Sequence, residues 1–206
     1  MTVGADVSIV DYGLGNIASI VNMIKRVGYS SEIIRTASEI ALARRLILPG
    51  VGAFDAGVRQ LHKQDIMGSL SEAAFGRKIP ILGICLGAQL LGCSSSEGVE
   101  SGLGWLDFDC KRFESKDEFK VPHMGWNYVE PARESLLTLD MRSDARFYFV
   151  HSYYMQTRRP EQVLLTTDYG LRFTSAVQLE NIYGVQFHPE KSHRFGMSLI
   201  KRFAEI

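Results

Sequence analysis

The residues around Cys85 combine a potential nucleophile with a backbone pattern that can activate it. An apolar run over residues 79–84 leads into Gly83-Ile84-Cys85-Leu86-Gly87, and a short helical segment follows. This is the pattern of a nucleophile elbow, with cysteine in the place of serine. Glycines flank Cys85 because larger side chains would clash in a sharp strand-to-helix turn. The pattern predicts a Cys85 thiolate, favoured by the helix N-terminus, with the Leu86 N–H directed at a developing oxyanion.

The alternative interpretation of Cys85 is a buried structural thiol, which is common for free cysteine. Cys93 and Cys110 lack the elbow setting, so we interpret both as structural. Three irregularly spaced cysteines suit neither a disulfide framework nor a zinc site. We therefore expect reduced thiols, a cytoplasmic location and no bound metal.

A cysteine nucleophile in acyl transfer needs a histidine base and a group that orients it. His188 ends an apolar strand pattern and is followed by Pro189 and Glu190. Pro189 keeps His188 out of the helical region, and residues i and i+2 of extended backbone share a side. Alone, the pair could be a strand end with a surface acid. With the elbow, Cys85, His188 and Glu190 form a complete catalytic triad.

The elements that must position this triad alternate along the first half of the chain. Strand patterns at 7–10, 32–35, 46–48 and 79–84 alternate with helical patterns at 17–27, 38–44, 54–61 and 65–75. The second half is rich in strands, predicted at 105–113, 126–129, 147–153, 163–167, 175–179 and 183–187, before a last helix at 195–203. This order predicts an α/β fold: a central, mostly parallel sheet flanked by helices, with an added antiparallel portion in the second half.

Length and charge narrow the class of protein. The chain has 206 residues, 23 basic and 23 acidic, so its formal net charge is zero. One domain over residues 1–206 is the expectation for this length. Balanced charge argues against nucleic acid or anionic membranes as partners. The sequence has no run of 18 apolar residues that could span a membrane, and we expect no signal peptide.

A glycine pattern near the N-terminus offers a competing hypothesis. Gly13-Leu14-Gly15-Asn16-Ile17-Ala18 joins the first strand to the first helix and fits a dinucleotide-binding fingerprint. That fingerprint also needs an acid at the end of the second strand, where the sequence has Ile34-Arg35-Thr36. We interpret the glycines as a tight turn.

Several further motifs accompany the predicted triad and point to a known family. They are Leu48-Pro49-Gly50-Val51-Gly52 and the segments 122–127, 147–153 and 187–192. Together with the elbow, these motifs resemble the class I glutamine amidotransferases over essentially the whole chain. Within that family the sequence is most similar to the glutaminase subunits of imidazole glycerol phosphate synthase.

The resemblance implies that Cys85 attacks the side-chain amide of glutamine and forms a glutamyl thioester, which water hydrolyses. His188 would shuttle the proton and Glu190 would orient His188. No organic cofactor or metal is implied. The residues implied to stabilise the oxyanion or bind glutamine are Gly50, Val51, Gly52, Leu86, Gln89, His151, Ser152 and Tyr153.

The resemblance also implies a partner. In the family this is a (β/α)₈ barrel, a cyclase-type synthase subunit in a one-to-one heterodimer, which uses the ammonia to make imidazole glycerol phosphate in histidine biosynthesis. The residues implied at the interface are Pro122, His123, Met124, Trp126, Asn127 and Lys191. The alternative for segment 122–127 is a turn before a strand, with Trp126 in the core.

Two other functions stay open at this point. Ala88 stands where the family usually has methionine, and segments 11–16 and 191–197 resemble a paralogous branch that donates ammonia to a surface-polysaccharide sugar through a diverged barrel. A non-enzymatic binding module with Cys85 as a redox-sensing thiol is the third hypothesis. A sensor would not need the His188–Glu190 pair.

Overall fold

The computed structural model describes residues 4–115 and 119–206. Its first half alternates strands and helices: β1 (Val7–Val10), α1 (Ile17–Arg26), β2 (Ser31–Ile34), α2 (Ala37–Leu42), β3 (Leu46–Gly50), α3 (Phe54–Lys63), α4 (Met67–Ser71), β4 (Ile81–Cys85) and α5 (Leu86–Gln89). The second half contains β5 (Ser94–Ser95), β6 (Phe108–Arg112), β7 (His123–Tyr128), β8 (Glu130–Pro131), β9 (Arg146–His151), β10 (Tyr153–Thr157), β11 (Val163–Asp168), β12 (Arg172–Leu179), β13 (Ile182–Val185) and α6 (His193–Glu205).

The main sheet has a parallel part and a mostly antiparallel part, which confirms the predicted fold class. Its order is β2-β1-β3-β4-β13-β12-β10-β6-β5, with β11 on β12 and β8 on β11. The strands from β2 to β13 run parallel, and β12 then pairs antiparallel with β13 and β10. A separate antiparallel ribbon joins β7 to β9.

Two apolar cores lie against the parallel strands because their side chains alternate between the two faces. Ile47 and Leu82 pack with α1 and α6 in one core. Leu46 and Leu48 pack in the other with α2, α3, α4 and α5. Within the described ranges, no helix is long and apolar enough to cross a membrane.

Several predicted element boundaries are wrong, each for a local reason. The helix predicted at 38–44 is α2 at Ala37–Leu42, and Thr36 caps it: the Thr36 hydroxyl accepts the Glu39 N–H while the Glu39 carboxylate accepts the Thr36 N–H. The helix predicted over 65–75 is the short α4 followed by a π-helical turn at Glu72–Gly76. The strand predicted over 105–113 is confined to β6.

The strand predicted over 147–153 is divided at Ser152 between two sheets. β9 pairs with β7, whereas β10 pairs with β6 and β12. Segment 122–127 is mostly strand β7, and Trp126 is 43% exposed. The alternative that placed Trp126 in the core is therefore wrong.

Parallel register brings the carboxyl ends of three strands to one edge of the sheet. Gly50 at the end of β3 is opposite Cys85 at the end of β4, and Val185 of β13 is opposite Ile84. Clefts at this edge are the usual ligand sites of such sheets. Residues that follow β3, β4 and β13 therefore meet at Cys85.

Candidate active site

Cys85 lies at a strained turn between β4 and α5. Its backbone φ is 53° and ψ is −110°, a conformation that non-glycine residues rarely adopt. A Cβ at Gly83 would lie 2.7 Å from the Ala88 Cα, and one at Gly87 would collide with the Leu48 carbonyl oxygen. These clashes give the glycines the role that the sequence pattern predicted. The turn leaves the Cys85 side chain 8% exposed, at the wall of a cavity.

His188 and Glu190 form a buried pair beside Cys85. His188 Nδ1 lies 2.8 Å from Glu190 Oε1, and both side chains are 2% exposed. Burial opposes the positive charge on His188, but the neighbouring Cys85 and Glu190 outweigh it and raise its pKa to about 10. His188 Nε2 has no hydrogen-bond partner among the described residues. This nitrogen is free for proton transfer, while Nδ1 is held by Glu190.

The backbone of His188 is held from both sides. Its N–H donates to the Tyr148 carbonyl oxygen at 2.9 Å, which joins it to strand β9. The Ser192 hydroxyl donates to the His188 carbonyl oxygen at 2.6 Å and accepts the Tyr148 N–H at 3.0 Å. Ser192 is fully buried. Although Ser192 belongs to a motif seen in the sequence, its part in positioning His188 was not predicted.

A cavity of about 370 Å³ opens above Cys85 and His188. Cys85 and His188 line it, and so do most of the residues predicted to bind glutamine or stabilise the oxyanion, together with Pro122 and Lys191 from the predicted interface. These predicted lining residues are Val51, Gly52, Leu86, Gln89, His151, Ser152 and Tyr153. Gly50 lies beneath the cavity, where a Cβ would come within 2.8 Å of the Gly87 nitrogen.

The oxyanion prediction fits the backbone geometry of α5 and of the loop after β3. Leu86 begins α5, and the first N–H groups of a helix have no intrahelical acceptor. Gly52 in the facing loop has φ of 112°, which only glycine adopts readily. Two peptide segments therefore face the cavity near Cys85.

Gln89 uses both hydrogens of its amide within the protein. Its Nε2 donates to the Tyr153 carbonyl oxygen at 3.2 Å and to Gln186 Oε1 at 3.0 Å. A primary amide has only two N–H donors. The free polar atom of Gln89 is therefore Oε1, an acceptor suited to N–H groups of a ligand.

Two buried histidines form a directional chain behind the cavity. The His151 Nδ1–H donates to the Tyr153 carbonyl oxygen at 2.8 Å, so His151 Nε2 is the acceptor for His123 Nδ1 at 2.9 Å. Asn127 Nδ2 donates to the Asp168 carbonyl oxygen at 2.9 Å and to His123 Nε2 at 3.3 Å. Burial lowers the pKa of His123 to about 4 and of His151 to about 3, so both are neutral.

The six residues predicted at the partner interface occupy different environments. Met124 and Trp126 are exposed on β7, by 61% and 43%, and Pro122 and Lys191 are exposed at the cavity rim. His123 is buried at 2% exposure, and Asn127 is half-buried behind it. Four of the six thus form surface, and two form the hydrogen-bonded chain.

Besides Ser192, three further residues at the site were not predicted from the sequence. Glu97 lines the cavity and its carboxylate accepts the Phe54 N–H at 2.8 Å. Val150 also lines it, and Gln186 lies behind Cys85. Gln186 stands two residues before His188, so the i, i+2 rule used for Glu190 could have found it.

The competing glycine motif and the other cysteines have structural roles in the described residues. Gly13 and Gly15 have φ of 88° and 135°, and the turn leads into α1. Cys110 is fully buried, which raises the pKa of its thiol, and Cys93 donates to the Leu106 carbonyl oxygen at 3.6 Å. Neither cysteine lines the cavity.

Comparison with known proteins identifies the family. The model for glutamine amidotransferase class-I matches residues 8–206. The chain is 51% identical over 198 residues to imidazole glycerol phosphate synthase subunit HisH 2 of Pseudomonas aeruginosa, covering 96% of this chain and 98% of that one. It is 47% identical over 197 residues to the subunit of the same name from Methanococcus maripaludis, again covering 96% and 98%.

A solved structure, PurLQS from Thermotoga maritima, has the same fold. It aligns with a TM-score of 0.73 at 17% identity over 97% of this chain and 94% of that one. The likeness in fold and the identity with the curated relatives agree with the family match. This chain belongs to the class I glutamine amidotransferase family.

Proposed function

We propose that this chain is the glutaminase subunit of an imidazole glycerol phosphate synthase, acting as one domain over residues 1–206. The observation that carries the proposal is the Cys85–His188–Glu190 cluster at a cavity, in a chain of the amidotransferase family. The names of its relatives favour this function over a sugar acceptor or a thiol sensor.

The proposed chemistry uses both ring nitrogens of His188: Nε2 transfers protons, and Nδ1 is held by Glu190. Cys85 Sγ attacks the side-chain carbonyl carbon of glutamine, and His188 Nε2 carries a proton to the departing nitrogen, which leaves as ammonia. Water then adds to the glutamyl thioester and gives a proton to His188 Nε2, the carbon–sulfur bond breaks, and glutamate leaves with Cys85 and the protonated His188 restored. Glu190 stabilises the imidazolium and fixes its orientation.

The remaining lining residues bind and polarise the substrate. Backbone N–H groups of Leu86 and Val51 stabilise the oxyanion, each worth about 3 kcal/mol in the transition state. Gln89 Oε1 accepts an N–H of glutamine, because its own N–H groups are already used. His151, Ser152 and Tyr153 contact the amino-acid end of the substrate. No cofactor or metal takes part in this scheme.

The proposed partner is a (β/α)₈ barrel that binds over the outer face of β7. Met124, Trp126 and Tyr128 alternate along this strand and are exposed by 61%, 43% and 56%. Exposed aromatic and methionine side chains are typical of interfaces. Pro122 and Lys191 continue this surface to the cavity rim. Ammonia released there enters the barrel before water can protonate and dilute it. We place this heterodimer in the cytoplasm.

The test is glutamate release by the purified chain, alone and with the histidine-pathway barrel and its nucleotide ligand. Cys85→Ala should abolish the activity, whereas the matched change Cys93→Ala, outside the cavity, should preserve it. We expect strong stimulation by the barrel. Full activity of Cys85→Ala would refute the proposed nucleophile. Cys85-dependent hydrolysis that this barrel does not stimulate would refute the proposed acceptor.

A further inference from the structure

Gln186 connects the substrate pocket to the sulfur of Cys85, and the proposed mechanism gives it no role. Its side chain is fully buried. Its Nε2 lies 3.8 Å from Cys85 Sγ, and its Oε1 accepts the Gln89 amide at 3.0 Å. The carboxamide thus lies directly between the residue proposed to bind glutamine and the nucleophile.

The orientation of the Gln186 amide is fixed by its neighbours. The Tyr153 carbonyl oxygen can only accept, so Gln89 must present its NH₂ group both to Tyr153 and to Gln186. Gln186 must therefore accept this hydrogen bond with Oε1, which leaves its own NH₂ group facing Cys85 Sγ. The reverse orientation would place two N–H groups against each other and an oxygen against the sulfur.

The Tyr153 carbonyl oxygen, which orients Gln89, is linked by hydrogen bonds through His151 to His123 of β7. The Tyr153 carbonyl also receives the His151 N–H, and His151 is paired with His123. Both imidazoles are neutral, so this arrangement carries no competing charge toward Cys85. The charged group beside Cys85 is His188, and Glu97 and Lys191 line the same cavity. Gln186 is therefore a fixed, neutral N–H donor on another side of the same sulfur.

We propose that Gln186 is a further catalytic residue, whose amide N–H donates to the Cys85 thiolate and holds it for attack on glutamine. The inference rests on the proposed function of Cys85 as nucleophile. The same donor stabilises the sulfur when it departs from the thioester after water has added. No proton leaves Gln186 in either step, because it acts as a hydrogen-bond donor throughout.

The experiment compares Gln186→Glu and Gln186→Met with the wild-type chain. The Glu side chain in Gln186→Glu has nearly the same shape as Gln and still accepts the Gln89 N–H, but it presents no amide N–H to the Cys85 sulfur. Methionine preserves the length and removes both polar groups. Gln162→Met is the matched control, because Gln162 is also buried but hydrogen bonds to Asp107, outside the cavity. Thermal melts identify variants that do not fold.

Two measurements are made on each folded variant. Losing a hydrogen bond to a charged group should lower kcat for glutamine hydrolysis by about 10- to 100-fold, with a smaller change in KM. Alkylation of Cys85 by iodoacetamide, followed by mass spectrometry of its peptide, should reach half its maximal rate about one pH unit higher. A purely structural role for Gln186 would not move this pH midpoint. Gln162→Met should behave as wild type in both assays.

The outcomes separate this inference from the proposed function. If the Gln186 variants have wild-type kcat and the wild-type alkylation profile, the inference is overturned while Cys85 stays the nucleophile. If Cys85→Ala still hydrolyses glutamine, the proposed function itself fails. If neither Gln186 variant folds, Gln89→Met provides the test, because it removes the hydrogen bond that orients the Gln186 amide toward the Cys85 sulfur. A raised alkylation midpoint there supports the proposal, and an unchanged midpoint overturns it.

Discussion

Replacing Glu190 by glutamine should lower the pKa of His188 and move the alkaline limb of the activity profile to lower pH. In the wild-type structure Glu190 Oε1 lies 2.8 Å from His188 Nδ1, and both side chains are buried. Burial alone would lower the pKa of His188, and Cys85 and Glu190 together raise it to about 10. Glutamine can still accept the Nδ1–H, so the change removes the charge and preserves the shape.

The magnitude follows from that single contact. A buried hydrogen bond to a charged group contributes about 1.5–3 kcal/mol. This corresponds to about one to two pH units for the alkaline limb, since one unit equals about 1.4 kcal/mol. We expect kcat to fall about 10- to 100-fold at neutral pH, because the His188 imidazolium, which donates the proton to the departing nitrogen, loses its counter-charge.

Glu190→Gln should also lower the free energy of unfolding, by an amount that depends on pH. The pKa of His188 is higher in the folded chain than its usual 6.5, so its stabilisation is complete below about pH 6.5 and disappears as pH rises through about 10. The free energy of unfolding of Glu190→Gln should therefore be about 1.5–3 kcal/mol below wild type at pH 6. The two proteins should converge near pH 10.

The assay is the initial rate of glutamate formation from pH 6 to 11, with urea unfolding at pH 6 and pH 10. Glu180→Gln is the matched control, because Glu180 is 66% exposed and pairs with Lys78 at the surface. The control should have the wild-type alkaline limb. An alkaline limb of Glu190→Gln that superimposes on wild type would refute the assignment of Glu190 as the charge that holds His188 protonated.

Three further predictions concern the elements around the site. Gly87→Ala should prevent folding, because its Cβ collides with the Leu48 carbonyl oxygen of β3. Gly68→Ala is the matched control: its Cβ meets open space, so it should stabilise α4 by about 0.5–1 kcal/mol. Circular dichroism and urea titration check both variants. The lowered pKa values of His123 and His151 mean that unfolding takes up protons below about pH 6.5, so stability should fall by about 2 kcal/mol per histidine at pH 5, measured by denaturant titration. Thr36→Ala should cost about 1 kcal/mol of unfolding free energy through loss of the α2 cap, and an unchanged urea midpoint would contradict this.

Short-range patterns in the sequence determined the elbow, the orientation of the His188–Glu190 pair and the alternation of strands and helices. The two glycines around Cys85 follow from steric limits within a single turn, and the spacing of His188 and Glu190 follows from extended backbone before Pro189. These features depend on residues a few positions apart. They could therefore be predicted from the amino-acid sequence, as could the mostly parallel sheet.

Tertiary structure alone decided which distant polar groups meet behind Cys85. Gln89 and Gln186 are 97 residues apart in the sequence, and His123 and His151 are 28 residues apart. Their contacts depend on strand pairing across the molecule and on the division of β9 from β10 at Ser152. No local pattern specifies these choices, because buried donors and acceptors must be satisfied by whatever the assembled sheet places beside them. The sequence thus determined the elbow at Cys85 and the His188–Glu190 pair, and the folded chain decided how the amides around them are oriented.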